Sequence, residues 1–549
     1  MDLDQAMQLL AQRMEAPEAG QVRSAVLQVV SGQGNAGLTD QEAAEVRRWF
    51  QAEYGGRPDP AGAMYQAMLS RVVETGTVQV RRKRGAHRAT GAYYTQNLVV
   101  RYMLQRASHY LPGLQSVIDP ACGSGAFLTG ARAEFPAGLV RLTGLDADPI
   151  ALEVCRRNVP GADLHTVDAL LDDVPGGYDL CVGNPPYISS GLRGVAAQER
   201  AQQRVLRERY PRTAQYKINT YPLFVERGLQ LVRDGGVLGY ILPDSFLTGR
   251  YFEGLRRLLL ENTLLEITLV CEDFWEHGRV GQSVILFVRR GPAPAGHQAL
   301  IKVCRQVADL EQTAATPVAP ADLAWGPLLR FPLITDSEQR RLARAMETAS
   351  GGLTLGLFFR SYSGLIARQG QQSLLRSANP GLNGPWGRLL RSGSEIDRYQ
   401  LAWAGEEVCL DPALIKSGGK FAYYQQPKIL LRQTADSLRA VYDDQGYYCL
   451  NNIHLLIPIH GAIPVRALLG LVNSGPVDRF YRAMTMETGR LYPQVDLDLL
   501  ESIPVPPLAE EAARQLALLV RASESAAPDE AARLETQIDL AVNRAYGLG

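Results

Sequence analysis

Residues 117–128 read VIDPACGSGAFL, an apolar run that ends in an acid, passes through a turn with two glycines and leads into a helix-compatible stretch. No other segment limits the fold so tightly. Gly123 and Gly125 remove Cβ atoms where a backbone turns sharply or lies against a ligand, and Asp119 falls at the carboxyl end of a strand, where open α/β sheets bind small molecules. A dinucleotide fold would carry GxGxxG for a pyrophosphate; an acid ahead of a single GxG suits an ammonium group better than a phosphate. The pattern then repeats. LVRLTGLD ends in Asp146, suited to accept hydrogen bonds from a ribose diol, DADP adds a second acid at 148, and HTVDAL carries Asp168, suited to accept from an aromatic amine. Singly, each acid reads more readily as a strand-end cap or loop residue. Three of them after three strand-like runs, with the GSG turn, describe a cofactor site.

Around this segment, from about 90 to 290, short β-branched runs (YDLCVGNPP, GGVLGYILP, ITLVCED, QSVILFVRR) alternate with amphipathic stretches, which predicts helices covering a mostly parallel sheet. Before it, AMQLLAQRM and DQEAAEVRRWFQAEY have helical spacing, with Thr39 and Glu42 placed for a capping box. After it, Pro- and Ala-rich stretches at 291–296 and 315–327 are expected to run over the surface between domains. A chain of 549 residues needs more than one core. The expected division is a helical segment at 1–80, a catalytic α/β domain at 81–325 and an α+β domain at 326–549. The balance of 57 Lys+Arg against 57 Asp+Glu means that any nucleic-acid surface must be a local concentration of cations. Seven cysteines without a CxxC pair argue against a disulfide scaffold or a Cys-rich zinc module, no metal is expected, and no run approaches a membrane span. The expected compartment is the cytoplasm.

YDLCVGNPPY at 178–187 is an apolar strand ending in Asn184, Pro185, Pro186 and Tyr187. Two prolines stiffen the tip, so that a side-chain amide and a main-chain carbonyl can face one point, an arrangement that suits an exocyclic amine. An ordinary proline-stiffened loop accounts for Pro-Pro but not for Asn before it and Tyr after. Here the chain resembles the gamma-class N6-adenine DNA methyltransferases, of the Eco57I/TaqI-like kind with a C-terminal target-recognition domain. The resemblance extends to GAYYTQNLVVRYML at 91–104, where Gln96 replaces the family's usual Pro, to INTYPLFVERGLQL with Asn219 and Phe224, and to the C-terminal segments LLRSGSEIDRYQ, FAYYQQPKILLRQ and ESIPVPP.

That resemblance implies a Rossmann-like catalytic domain that binds S-adenosyl-L-methionine. Tyr94, Thr95, Asp119, Ala121, Cys122, Gly123 and Gly125 would hold its methionine part, Asp146 the ribose and Asp168 the adenine amine. It implies that Asn184 and the Pro185 carbonyl, on the tip with Pro186, take the N–H groups of an adenine rotated out of duplex DNA, stacked between Tyr187 and a second aromatic. The second aromatic is Phe274 if the loop before Val280 carries one extra residue, and Trp275 if it does not. RRKRGAHR places Arg81, Arg82, Lys83, Arg84 and Arg88 together, dense enough for phosphate contact, though a solvated loop explains it as well. Arg398, Tyr399, Lys428 and Arg432 are candidate DNA contacts in the C-terminal part. Residues 1–82 contain no Lys, so the Glu-x-Lys of a fused nuclease is not expected there, and the chain is expected to methylate only, acting alone, as the modification subunit of a restriction system, or in a phage-defence system with separate partner subunits. Two other readings stand beside this one: transfer to a protein glutamine or an RNA base amine, and an inactive DNA-binding specificity subunit.

Overall fold

The computed structural model describes residues 1–14, 18–57, 59–69, 71–74, 79–82, 95–136, 138–190, 197–216, 218–272, 282–377, 385–435, 437–459, 461, 463–485 and 494–548. The chain divides into two compact units, Met1–Phe331 and Pro332–Gly549.

The first unit begins with four helices, α1 (Leu3–Ala11), α2 (Ala19–Val30), α3 (Asp40–Tyr54) and α4 (Pro60–Leu69), followed by a two-stranded hairpin, β1 (Arg71–Glu74) and β2 (Gln79–Arg82). Thr39 and Glu42 form the capping box at the start of α3: the Thr39 N–H donates to Glu42 Oε2 (2.8 Å) and the Glu42 N–H to Thr39 Oγ1 (3.3 Å). Then come α5 (Asn97–Tyr110), β3 (Ser116–Asp119), α6 (Ala126–Glu134), β4 (Arg141–Asp146), α7 (Pro149–Asn158), β5 (Asp163–Thr166) and β6 (Tyr178–Gly183). Short strands β7 (Ser189–Ser190) and β8 (Ile218–Asn219) pair with each other on either side of α8 (Ala197–Arg209). The unit continues with α9 (Thr220–Leu231), β9 (Val232–Pro243), α10 (Glu253–Leu260), β10 (Thr263–Val270), β11 (Ser283–Arg289), β12 (Ala299–Cys304) and β13 (Thr316–Val318).

Nine strands form one sheet in the order β13-β12-β10-β11-β9-β6-β3-β4-β5. Strands β5, β4, β3, β6 and β9 run parallel; β11 is antiparallel to both neighbours. The order reverses between β3 and β6, so the carboxyl ends of these two strands flank a crevice where doubly wound sheets bind ligands. Helices α5 and α6 lie close on one face: a Cβ at Gly130 would come within 2.7 Å of both Val100 and Leu104. The 315–327 stretch differs from expectation, because Thr316–Val318 joins the sheet as an edge strand, with Pro317 opposite Leu300. An edge position tolerates proline because its missing N–H would have faced away from the ladder.

The N-terminal helices share a core with the sheet domain. Met7, Leu10, Val26, Trp49 and Met64 bury in the same apolar cluster as Ala151 and Val154 of α7. The second unit is α+β. One antiparallel sheet orders Phe359–Ser363, Ile453–Pro458, Lys428–Arg432 and Ala440–Asp443, a second mixed sheet centres on Glu406–Cys409 and Trp386–Leu390, and helices Val465–Asn473, Gly475–Thr485, Glu510–Ser523 and Pro528–Ala545 complete it. Among the described residues no helix is long and apolar enough to cross a membrane.

Candidate active site

Strand β3 delivers Asp119 to the crevice almost wholly buried, with Oδ1 accepting from the Ala121 N–H at 3.1 Å. Neighbouring β6 makes room for it. A Cβ on Gly183 would meet Asp119 Oδ1 at 2.6 Å, so the glycine before Asn184 is required by the carboxylate of a different strand. Burial pushes the Asp119 carboxyl up to about 8; the Ala121 N–H opposes this and the Asp146 charge adds to it. The turn that follows has left-handed backbone at Gly123 (φ +54°) and Gly125 (φ +92°). Gly125 caps α6, and a Cβ there would lie 2.6 Å from Cys155 Sγ.

Asp146 ties two loops together: Oδ2 accepts from the Gly123 N–H (2.8 Å) and Oδ1 from the Asp148 N–H (2.8 Å). Burial raises its pKa, and the N–H groups of Asp148 and Gly123 oppose the rise. Asp148 in turn caps α7, accepting from the Ile150 N–H at 2.9 Å, with Pro149 as the first helical residue. Asp168, beyond β5, accepts from the Leu170 N–H at 2.9 Å.

At the end of β6, Asn184 Nδ2 donates to Thr95 Oγ1 (3.3 Å) while its Oδ1 accepts from the Tyr187 hydroxyl (2.5 Å), which also reaches the Ile241 carbonyl (3.0 Å). The Tyr187 ring meets Tyr221 edge-on, centroids 6.1 Å apart. Thr220, at the start of α9, donates to the Pro186 carbonyl and accepts from the Ile188 N–H, fastening the tip to the next helix.

These groups converge on a cavity of about 620 Å³ lined by Thr95, Asp119, Asp146, Asp168, Asn184 and Pro186. Ala121, Cys122 and Gly123 of the turn and Phe224 of α9 also face it. The volume lies within the roughly 300–1,000 Å³ of small-molecule sites. Pro185, Tyr187 and Gly125 are not on its wall. Sequence reasoning missed several wall residues, among them Phe127, Leu170, Ile188 and Thr220 and, from α2 and α4, Arg23, Tyr65 and Leu69. Nothing local in the sequence marks the last three. Among the described residues no cluster of His, Cys, Asp and Glu is placed to hold a metal ion.

Tyr94, Phe274, Trp275, Lys83, Arg84 and Arg88 lie outside the described residues, and Arg81 and Arg82 sit on β2 opposite Val72 and Arg71. In the second unit Lys428 corrects an expectation. Its ammonium is fully buried, paired with Asp443 and donating to the Tyr424 carbonyl (2.5 Å), so no phosphate can reach it. Tyr399 is likewise buried. Arg398 faces Glu535 at 3.4 Å, and Arg432 Nε donates to the Ile396 carbonyl at 2.6 Å.

A family model described as Eco57I restriction-modification methylase matches residues 162–272, and one described as TaqI-like C-terminal specificity domain matches residues 389–505. The Type II methyltransferase M.TthHB8I of Thermus thermophilus is 33% identical over 210 residues, covering 37% of this chain and 46% of that protein. The chain spans about half the length of the curated relatives it matches. Among solved structures, the DrdV–DNA complex is similar with a TM-score of 0.55 at 12% identity, over 95% of this chain and 67% of that one. The Type IIL restriction-modification enzyme MmeI in complex with DNA is similar with a TM-score of 0.53 at 14% identity, over 96% and 87%. At such identities the likeness is one of fold. In the order of its parts the chain resembles an Eco57I/TaqI-like methylase with a C-terminal recognition domain.

Proposed function

We propose that this chain is a site-specific DNA methyltransferase that moves a methyl group from S-adenosyl-L-methionine to N6 of an adenine rotated out of duplex DNA. It would act in the cytoplasm as the modification component of a restriction-modification or phage-defence system with separate partner subunits. The observation that carries this reading is the convergence of Asp119, Asp146, Asp168 and Asn184, from four consecutive parallel-strand regions, on one cavity at the β3/β6 reversal.

The cavity's chemistry fits the cofactor. Carboxylates at the ends of β3 and β4 and after β5 suit an ammonium group, a ribose diol and an aromatic amine, and Gly123 leaves open space on the cavity wall that a Cβ would fill. When bound, S-adenosylmethionine supplies a methyl group on a sulfonium whose neutral thioether is a good leaving group. Asp119 and the 121–125 turn would hold the amino-acid end, Asp146 the ribose and Asp168 the adenine, with Thr95 and, by the family resemblance, Tyr94 beside the methionine part. Asn184 Oδ1 and the Pro185 carbonyl accept the two N6 hydrogens of the target base. They turn the nitrogen lone pair toward the cavity and make it more nucleophilic. The Tyr187 hydroxyl bonded to Asn184 Oδ1 marks where an amine hydrogen would sit, so the phenol must yield as the base arrives. The freed ring would then stack on the base, with Phe274 or Trp275 as the second aromatic. After attack the nitrogen loses one proton to solvent, and no acid, nucleophile or metal from the chain is required. Alignment of acceptor and donor supplies much of the acceleration. Residues 326–549 form the target-recognition domain, and the basic tract Arg81–Arg84 contacts phosphate.

Transfer of labelled methyl from S-adenosylmethionine to DNA, total protein or RNA tests the reading. N6-methyladenine in DNA is the expected product, and Asn184→Ala should lower the rate by about 10²- to 10³-fold while cofactor affinity changes little. Label in release-factor glutamine or RNA would replace the acceptor. Cofactor-independent DNA binding without transfer would make the chain a specificity subunit.

A further inference from the structure

We infer that the N-terminal helices belong to the cofactor site, with Arg23 of α2 donating a hydrogen bond to the adenosine half of the bound nucleoside and Tyr65 and Leu69 of α4 closing the wall beside it. This rests on the methyltransferase reading and assigns a role to a segment that no feature of the catalytic motifs explains.

The observations are independent of one another. All three side chains line the same cavity as Asp146 and Asp168. Tyr65 is almost fully buried, and its hydroxyl donates to the Asp148 carboxylate, the cap of α7 one residue past the loop that carries Asp146. The phenol and the α7 N–H therefore share Asp148, which is thereby held in place at the ribose end. Arg23 Nε is buried without a hydrogen-bond partner among the described residues. A buried guanidinium nitrogen left in that state is costly unless a ligand satisfies it. Leu69 and Leu170 add apolar surface suited to a purine face.

A second contact locks this wall to the glycine turn. Asp59, just ahead of α4, accepts from Ser124 Oγ (3.1 Å) and from Asn158 Nδ2 (2.9 Å), while Asn158 also donates to the Ser124 carbonyl (2.9 Å). Gly62 faces the same serine, where a Cβ would lie 2.6 Å from Ser124 Oγ. Helix α4 is thus fitted to the turn that holds the other end of the cofactor.

Calorimetric titration of the full chain with S-adenosylhomocysteine and with 5′-methylthioadenosine, which lacks the amino-acid half, tests the assignment. Arg23→Met keeps the apolar stem and should weaken both ligands by the same factor, about 10- to 100-fold, with the ligand-free melting temperature unchanged. Tyr65→Phe keeps the ring and should weaken both by a smaller common factor. Asp119→Asn should weaken only the homocysteine-bearing ligand. Arg23→Met and Tyr65→Phe variants that both bind within twofold of wild type overturn the inference. So does an Arg23→Met effect confined to S-adenosylhomocysteine. Wild-type protein that binds neither ligand overturns the methyltransferase reading itself, and the two failures are therefore distinct.

Discussion

Asp119 combines two demands that pull in opposite directions. Its burial holds the carboxyl up to about 8, above the usual carboxylate range, while its place at the strand end suits a cation. Because the folded value lies above the unfolded one, this group favours the folded chain at acid pH, and that contribution is lost as pH rises from about 4 through about 8. An arriving ammonium reverses the preference. Below pH 8 binding must then release a proton, so S-adenosylhomocysteine affinity is expected to climb with pH toward about 8. Titrations in buffers of different ionisation enthalpy should show that release, and Asp119→Asn should abolish it. Tyr187 offers a second test at this scale. Its phenol now engages Asn184, whereas its ring is proposed to hold the base. Tyr187→Phe should retain methylation within a few-fold, and Tyr187→Ala should raise the KM for DNA on the order of tenfold or more through lost stacking. Equal losses in the two variants would mean that the hydroxyl, not the ring, is what matters.

Strands and helices around the cavity are held by buried polar groups as well as by apolar packing. Glu266 of β10 has no exposed surface and accepts from Tyr102 (2.5 Å), Arg106 Nε (2.7 Å), Tyr110 (2.7 Å) and Thr268 (2.8 Å), which fastens α5 to the sheet. Burial alone would raise its pKa, but the Arg106 charge and the three hydroxyls outweigh it and the net direction is down. The stabilisation is therefore present above the ordinary glutamate range and lost as pH falls through the depressed value. Glu266→Ala, which leaves Arg106 without its charge partner, should cost about 3–5 kcal/mol in denaturant titrations. Gly125→Ala forces a side chain into left-handed backbone and against Cys155, and should cost about 1–3 kcal/mol together with cofactor affinity. Much of this architecture was legible beforehand. The capping box of α3, the alternation of strand and helix and the acids at strand ends are local patterns of a few residues. The edge strand at Thr316–Val318 was not, because a Pro-containing triplet carries no period and becomes a strand only when β12 offers it a ladder.

Across the first unit as a whole, the N-terminal segment is continuous with the core of the sheet domain. Ala151 and Val154 of α7 are buried against its helices, so a chain lacking residues 1–69 should expose them, melt at lower temperature and lose S-adenosylhomocysteine binding. A truncated chain that binds with wild-type affinity would contradict this. Four candidate site residues, Asp119, Asp146, Asp168 and Asn184, could be named from the sequence because a parallel sheet brings its carboxyl ends to one edge, so their meeting follows from chain order and strand direction. Two kinds of residue could not be read that way. Tyr65 meets Asp148 across 83 residues, through a helix packing that no motif encodes. Lys428, a candidate DNA contact by sequence, is set by strand register opposite Asp443 inside the sheet. The sequence by itself determined which strands end in acids and which tip is stiffened by proline, since these depend on backbone geometry over a few bonds. Only the tertiary structure decided which distant side chains complete the cavity and which cations are withdrawn from solvent, because burial and pairing are properties of neighbours that chain order does not specify.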